Sequence, residues 1–210
     1  MAIGTASATI GLDALSVPLR ARLMANARLR EHARGMALAD GGTGAGNGLR
    51  IVSSGLVALL ANDPDPRPLA LYGPGQVIAP IAPRLGETRW TLTAFAVSNV
   101  HEVAGESVRE LRDDPEFLLW RLSLAEADRQ RALDLLAAVG TPDASERLIR
   151  LVRVAGTPLG EPERFDWPLT QTQFAALAGM SRAHLNARLA ALRDRGRLRI
   201  ENRVAVLGGG

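Results

Sequence analysis

Residues 167–196, WPLTQTQFAALAGMSRAHLNARLAALRDRG, carry helix-start and helix-stop signals at a spacing that admits few folds. Thr170 is placed as a helix N-cap, and Gln173 stands three residues on to complete a capping box. Phe174, Leu177 and Ala178 then fall on one face at helical spacing. Gly179 ends this helix, where a left-handed residue is needed and glycine adopts it most cheaply. Met180 plugs the corner, and Ser181 caps a second helix that buries Leu185, Leu189 and Leu192. Gly196 stops that helix, and residues 197–206 alternate between polar and apolar as a short hairpin does. Helix, glycine turn, helix and hairpin predict a winged helix-turn-helix, the unit that sets a recognition helix in the major groove of DNA.

The same residues also suit a plain helical hairpin buried in a core, and charge separates the two readings. From Arg182 to Arg203 there are seven arginines against Asp194 and Glu201, a net of +5 in 22 residues. Residues 1–140 hold 14 arginines and 15 acids, a net of −1. Positive charge gathered at one end suits a module that neutralises phosphates.

Composition removes several chemistries. All 25 basic residues of the 210 are arginine and none of the residues is cysteine. Thiol nucleophiles, disulfides, thiolate-held iron–sulfur clusters, Schiff bases and the Walker lysine are therefore excluded. Three scattered histidines and no paired carboxylate cluster leave nothing like a catalytic site, so no enzyme is expected. The longest apolar stretch, residues 51–61, is broken by Ser53, Ser54 and Gly55 and is too short to span a bilayer. The N-terminus has no basic segment before an apolar run, so a cytoplasmic protein without membrane partners is expected.

Residues 13–34 read as one or two short helices. Over residues 35–112, glycine, proline and aspartate clusters (GGTGAG, NDPDPRP, YGPGQ, RLGET) punctuate short apolar runs, as in a small β-sandwich or barrel. Asp114-Pro115 opens a helix that runs to about Val139 without an internal glycine or proline. Its apolar positions include Leu118, Leu119, Leu122, Ala125, Ala132, Leu133 and Leu136, around a polar AEADRQR centre, and its length hints at a coiled-coil role. Gly140-Thr141-Pro142 breaks it, residues 143–155 supply another helix, and residues 156–166 read as a linker.

A β-rich half, a long central helix and a C-terminal winged helix, in that order, resemble the Crp/Fnr family of bacterial transcription regulators. The residues that carry the likeness are LTQTQFAALAGMSR in the C-terminal part, GLRIVSSGLVALL and LYGPGQVI in the β-rich half, and EVAGESVRELRDDPEFLLWRLS between them. The resemblance implies an α+β fold with three parts. These are an N-terminal β-roll (jelly-roll) sensor domain at residues 1–113, a central dimerisation helix at 114–140 and a winged helix-turn-helix at 141–210. It implies a homodimer joined through Leu118, Leu122, Ala125, Ala132 and Leu136, which binds palindromic double-stranded DNA and has RNA polymerase as a possible further partner.

Departures from the family pattern are equally informative. The stretch matching the cyclic-nucleotide phosphate cassette, GQVIAPIAPRLGETRWTLTAF, has no Gly-Glu, and the Arg-Ser place falls near Thr91-Leu92. Arg89 is a weak effector-binding candidate, and the Thr-Ser that meets the purine in cyclic-AMP receptors aligns with Ala132-Leu133. Control by cyclic AMP is not expected, and neither is haem, whose candidate ligands would be His101, His32 or a methionine. No cofactor or metal is expected, and the effector is left unassigned. Trp90 and Trp120 are read as core.

For DNA, the candidates on the second helix are Ser181, Arg182, Ala183, His184, Asn186 and Ala187. Arg182 and Asn186 lie one turn apart and suit guanine and adenine respectively. Family members often carry Glu and Arg where this chain has Ala183 and Ala187, so its site should differ from theirs. Thr170 and Gln171 are phosphate candidates at a helix N-terminus, with Arg197, Arg199 and Arg203 on the wing. An adaptor module that packs on another protein is the alternative on the same fold.

Overall fold

The computed structural model describes residues 11–40, 48–61, 67–79, 89–160, 163–167, 169–201 and 204–208. After helix α1 (Val17–Met24), eight strands form the N-terminal half: β1 (Arg28–His32), β2 (Ala37–Asp40), β3 (Leu49–Ser54), β4 (Val57–Ala61), β5 (Arg67–Tyr72), β6 (Val77–Ile78), β7 (Trp90–Ala94) and β8 (Ser98–Val103). They pair antiparallel into two sheets, ordered β1-β8-β3-β6 and β2-β7-β4-β5. Val52, Val57, Tyr72, Ile78, Trp90 and Leu92 belong to the core between the sheets. Period-two alternation sends Leu49, Ile51, Val77 and Val103 the other way, onto Leu19 and Leu23 of α1 and onto the helices that follow β8.

The segment 13–34 divides differently from expectation. After α1 the chain turns into β1 and pairs with β8 from Arg28↔Glu102 to His32↔Ser98. The run of Arg, Leu and Glu here favours a helix locally, but the open edge of β8 offers a full ladder of backbone partners, and tertiary pairing overrides propensity.

A short helix, α2 (Gly105–Glu110), leads to α3 (Pro115–Val139), the long helix expected from the sequence. Asp114 caps α3 by accepting from the backbone N–H of Glu116 (3.0 Å) and Phe117 (3.2 Å), and Pro115 occupies the first turn, where its missing N–H costs nothing. One face of α3 buries Phe117, Trp120, Leu124, Ala127, Leu135 and Ala138. The Trp120 indole N–H donates to the Gly11 carbonyl at 3.0 Å, so both tryptophans read as core are core. Midway along, Arg131 lies with its guanidinium carbon 5.2 Å from the Tyr72 ring centre and donates to Asp128 at 2.6 Å. This fastens the helix to the second sheet. The opposite face is open, with Leu122 at 69% and Leu136 at 66% exposure, and Leu118, Leu119, Ala125, Ala132 and Leu133 also exposed. Among the described residues, no helix is long and apolar enough to cross a membrane.

Helices α4 (Ala144–Gly156), α5 (Gln171–Ala178) and α6 (Arg182–Asp194) complete the chain with strands β9 (Arg164–Asp166), β10 (Leu198–Glu201) and β11 (Val204–Leu207). Their core, with Leu148, Leu151, Phe174 and Leu185, is continuous with Leu135 and Ala138 of α3 and with Leu56, Ala58 and Leu71 on the outside of the second sheet. The two halves also approach closely at Gly73, where a β-carbon would collide with the Pro158 carbonyl oxygen. Gly73→Ala should therefore push the two halves apart at a cost of about 1–3 kcal/mol, read as a lower melting temperature and faster proteolysis near residue 160.

His32 is 6% exposed, and among the described residues neither ring nitrogen has a hydrogen-bond partner. Burial holds its pKa below the ordinary 6.5, although Glu102 pulls the other way. The unfolded chain thus binds the proton more readily. Stability should be full above pH 6.5 and decline as the pH falls below it toward the folded-state value. His32→Leu should flatten that part of a stability–pH curve measured by urea unfolding.

Candidate nucleic-acid interface

The capping signals around residue 170 are realised as read. The Thr170 hydroxyl accepts from the Gln173 N–H at 3.2 Å, and the Gln173 side-chain oxygen accepts from the Thr170 N–H at 2.8 Å. At the other end of α5, Gly179 takes φ +64°, and the N–H of Met180 returns to the Ala175 carbonyl at 3.0 Å. Ser181 then caps α6 through the His184 N–H at 3.2 Å. Edge-on contact of Trp167 with Phe174 (ring centres 4.7 Å apart) seats α5 on the chain entering it.

Leu185 and Leu192 bury one side of α6. The face turned to solvent carries Arg182, Ala183, Asn186 and Ala187, with Ser181 and His184 beside them, all exposed. Arg182 donates to the Gln171 side-chain oxygen at 3.4 Å, which ties the start of α5 to the start of α6. Thr170 and Gln171 are exposed at the same end, so these candidates form one surface. Arg188, unremarked in the sequence, lies one turn beyond His184 and donates to its Nε2 at 3.1 Å.

The hairpin is present as β10 and β11, in register from Leu198↔Leu207 to Glu201↔Val204. The stretch 156–166 is more than a linker, since it contains β9, which pairs with β11 to make a three-stranded sheet ordered β10-β11-β9. The wing arginines are only partly free. Arg197 meets Glu146 at 3.3 Å and Arg199 meets Glu201 at 3.8 Å, partly exposed pairs of the kind that are individually weak. Arg203 lies outside the described residues.

A structural arginine carries no sequence signal of its own. Arg147 on α4 donates to the carbonyls of Thr141 (2.8 Å), Ala178 (3.2 Å) and Pro142 (3.3 Å). It thereby satisfies the C-terminal end of α5 and fixes the turn leaving α3.

In the β-roll, Arg89 is exposed just before β7, and residues 80–88 of the candidate cassette lie outside the described residues. A cavity of about 480 Å³ at the end of the first sheet is lined by Arg28, Arg30, Arg50 and Glu102, not by Arg89. Strand alternation places His32 and His101 on opposite faces of that sheet, so they do not converge on one ligand. Among the described residues, no group of three His, Cys, Asp or Glu side chains is placed to hold a metal.

Residues 145–207 match the family described as the Crp-like helix-turn-helix domain. No curated protein sequence matches the chain significantly. Many solved structures share its fold. A chain from Eubacterium rectale described as a Crp/Fnr-family transcriptional regulator superposes with a TM-score of 0.69 at 13% identity, covering 94% of this chain and 92% of that one. The c-di-GMP-responsive global regulator CLP of Xanthomonas campestris gives 0.68 at 19% identity, over 93% of this chain and 100% of that one. FixK2 of Bradyrhizobium japonicum gives 0.69 at 16% identity, over 86% and 92%. The protein therefore has the Crp/Fnr regulator fold, α+β with an N-terminal β-roll, and ends in a Crp-like helix-turn-helix domain. Arg147→Ala should destabilise that domain by about 2 kcal/mol, since three carbonyls lose a charged donor. A thermal melt of the full chain would read it.

Proposed function

We propose that this chain, built on the Crp/Fnr fold, is a homodimeric, sequence-specific DNA-binding transcription regulator whose activity is governed neither by cyclic AMP nor by an iron–sulfur cluster. The carrying observation is the solvent-facing surface of α6, where Arg182 and Asn186 lie one turn apart beside the exposed start of α5. Arg182 suits bidentate pairing to guanine and Asn186 to adenine, while Ala183 and Ala187 offer only methyl contacts, as to thymine. Thr170, Gln171, Arg197, Arg199 and Arg203 bind phosphate and set the register. The β-roll, α3 and the helix-turn-helix unit act as sensor, dimer and reader. Two copies joined through Leu118, Leu122, Ala125, Ala132 and Leu136 present two reading helices to a two-fold symmetric site. The protein acts in the cytoplasm, with RNA polymerase as a further partner, and performs no catalysis.

Two alanines at base-facing positions favour a second reading, an adaptor whose helix-turn-helix packs on another protein. Selection of bound fragments from a random DNA library by the ligand-free protein separates the two. A symmetric site is expected, with affinity that falls steeply with salt. Binding indifferent to salt would favour the adaptor, and no enrichment would mean either the adaptor or an effector that must first reorient the helices. On the selected site, Arg182→Ala should weaken binding by about 1–3 kcal/mol and relax the preference at one base pair in each half-site.

A further inference from the structure

We propose that the cavity at the end of the first sheet binds a small zwitterion, an amino carboxylate whose carboxylate sits against Arg28, Arg30 and Arg50 and whose ammonium sits against Glu106 and Glu110. The inference concerns the β-roll and stands apart from the DNA-binding reading.

Three strands bring the arginines together. Arg28 on β1 and Arg50 on β3 each lie directly across from Glu102 on β8, so the three form one row on one face of the sheet. Arg30 lies two residues along β1 and so shares that face. The same face carries Val52, Val100 and Ile78 into the core between the sheets, and the charged row therefore borders an apolar interior.

The guanidinium groups of this row have one carboxylate among them. Arg30 Nε is 3.1 Å from one oxygen of Glu102, and the other oxygen is 4.0 Å from His32 Nε2. Arg50 is left short. Its Nε is buried and, among the described residues, has no hydrogen-bond partner. Burial disfavours the charge on Arg50, and Glu102 only partly offsets that pressure. A buried charged donor without an acceptor is costly, and a carboxylate oxygen placed there removes the cost.

The helix side of the cavity has the opposite sign. Glu106 and Glu110 lie one turn apart on α2, are exposed, and line the same space of about 480 Å³. Among the described residues neither carboxylate has a partner. A plain anion would be drawn to the arginines and repelled by this pair, and a plain cation would meet the reverse. A molecule that carries both charges gains at both walls. The volume lies within the range of about 300–1,000 Å³ usual for small-molecule sites.

Isothermal titration of the full chain with glycine, γ-aminobutyrate and ε-aminohexanoate tests the proposal, with hexanoate and hexylammonium as singly charged controls. At least one amino carboxylate should bind with a Kd of about 1 mM or tighter, and roughly tenfold tighter than either control. Arg50→Gln should weaken that binding roughly tenfold or more, because a charged hydrogen bond is lost. Glu106→Gln combined with Glu110→Gln should erase the preference for amino carboxylates over hexanoate. The double variant changes only exposed side chains of α2, so it serves even where Arg50→Gln fails to fold. No binding by any amino carboxylate, equal affinity for hexanoate, or binding that these variants leave unchanged would overturn the inference and leave the DNA-binding reading standing.

Discussion

A helix of 25 residues with apolar side chains on two sides cannot be covered by a small chain alone, and α3 is such a helix. Its inner face is where the protein is assembled. Phe117, Trp120 and Leu124 close the core under the first sheet, while Leu135 and Ala138 enter the core of the helix-turn-helix unit. Among the described residues, no other helix or strand contributes buried side chains to both of these cores. Burial of this one stripe therefore sets where the β-roll and the C-terminal unit stand, and each buried leucine-sized side chain contributes about 1.5–3 kcal/mol to that arrangement.

Direct contacts reinforce the spine between those two ends. Arg131 reaches from α3 across Tyr72 while held by Asp128, so the sheet and the helix share one charged, largely buried junction. The Tyr72 hydroxyl is buried beside Asp128, and both pressures keep its proton on. One residue further along, the backbone at Gly73 touches Pro158 of the C-terminal half. Sheet, spine and helix-turn-helix thus meet within a few residues, and a movement of any one is felt by the others because packed interiors deform little.

What was legible in the sequence was mostly what is settled locally. The capping box of Thr170 and Gln173, the left-handed Gly179 and the Ser181 cap each need only neighbours within four residues, so their chemistry is written in the order of the chain. The two faces of α3 were partly legible, because periodicity reveals apolar positions but not which of them a sheet will cover. Arg28–His32 misleads, since its composition favours a helix and only the free edge of β8 makes it a strand. Arg164–Asp166 is too short to register as a strand until β11 lies beside it. Arg147 gave no signal because its acceptors are backbone carbonyls, which every sequence has.

The pairing of β9 with β11 has a topological consequence. The strand that precedes α5 and α6 and a strand that follows them are hydrogen-bonded neighbours, from Val204↔Asp166 to Val206↔Arg164. Residues 164–206 therefore form a closed circuit whose ends leave side by side. The pairing thus fixes where the chain enters α5 relative to where it leaves the hairpin after α6, and Arg147 of α4 holds the same unit through the Ala178 carbonyl.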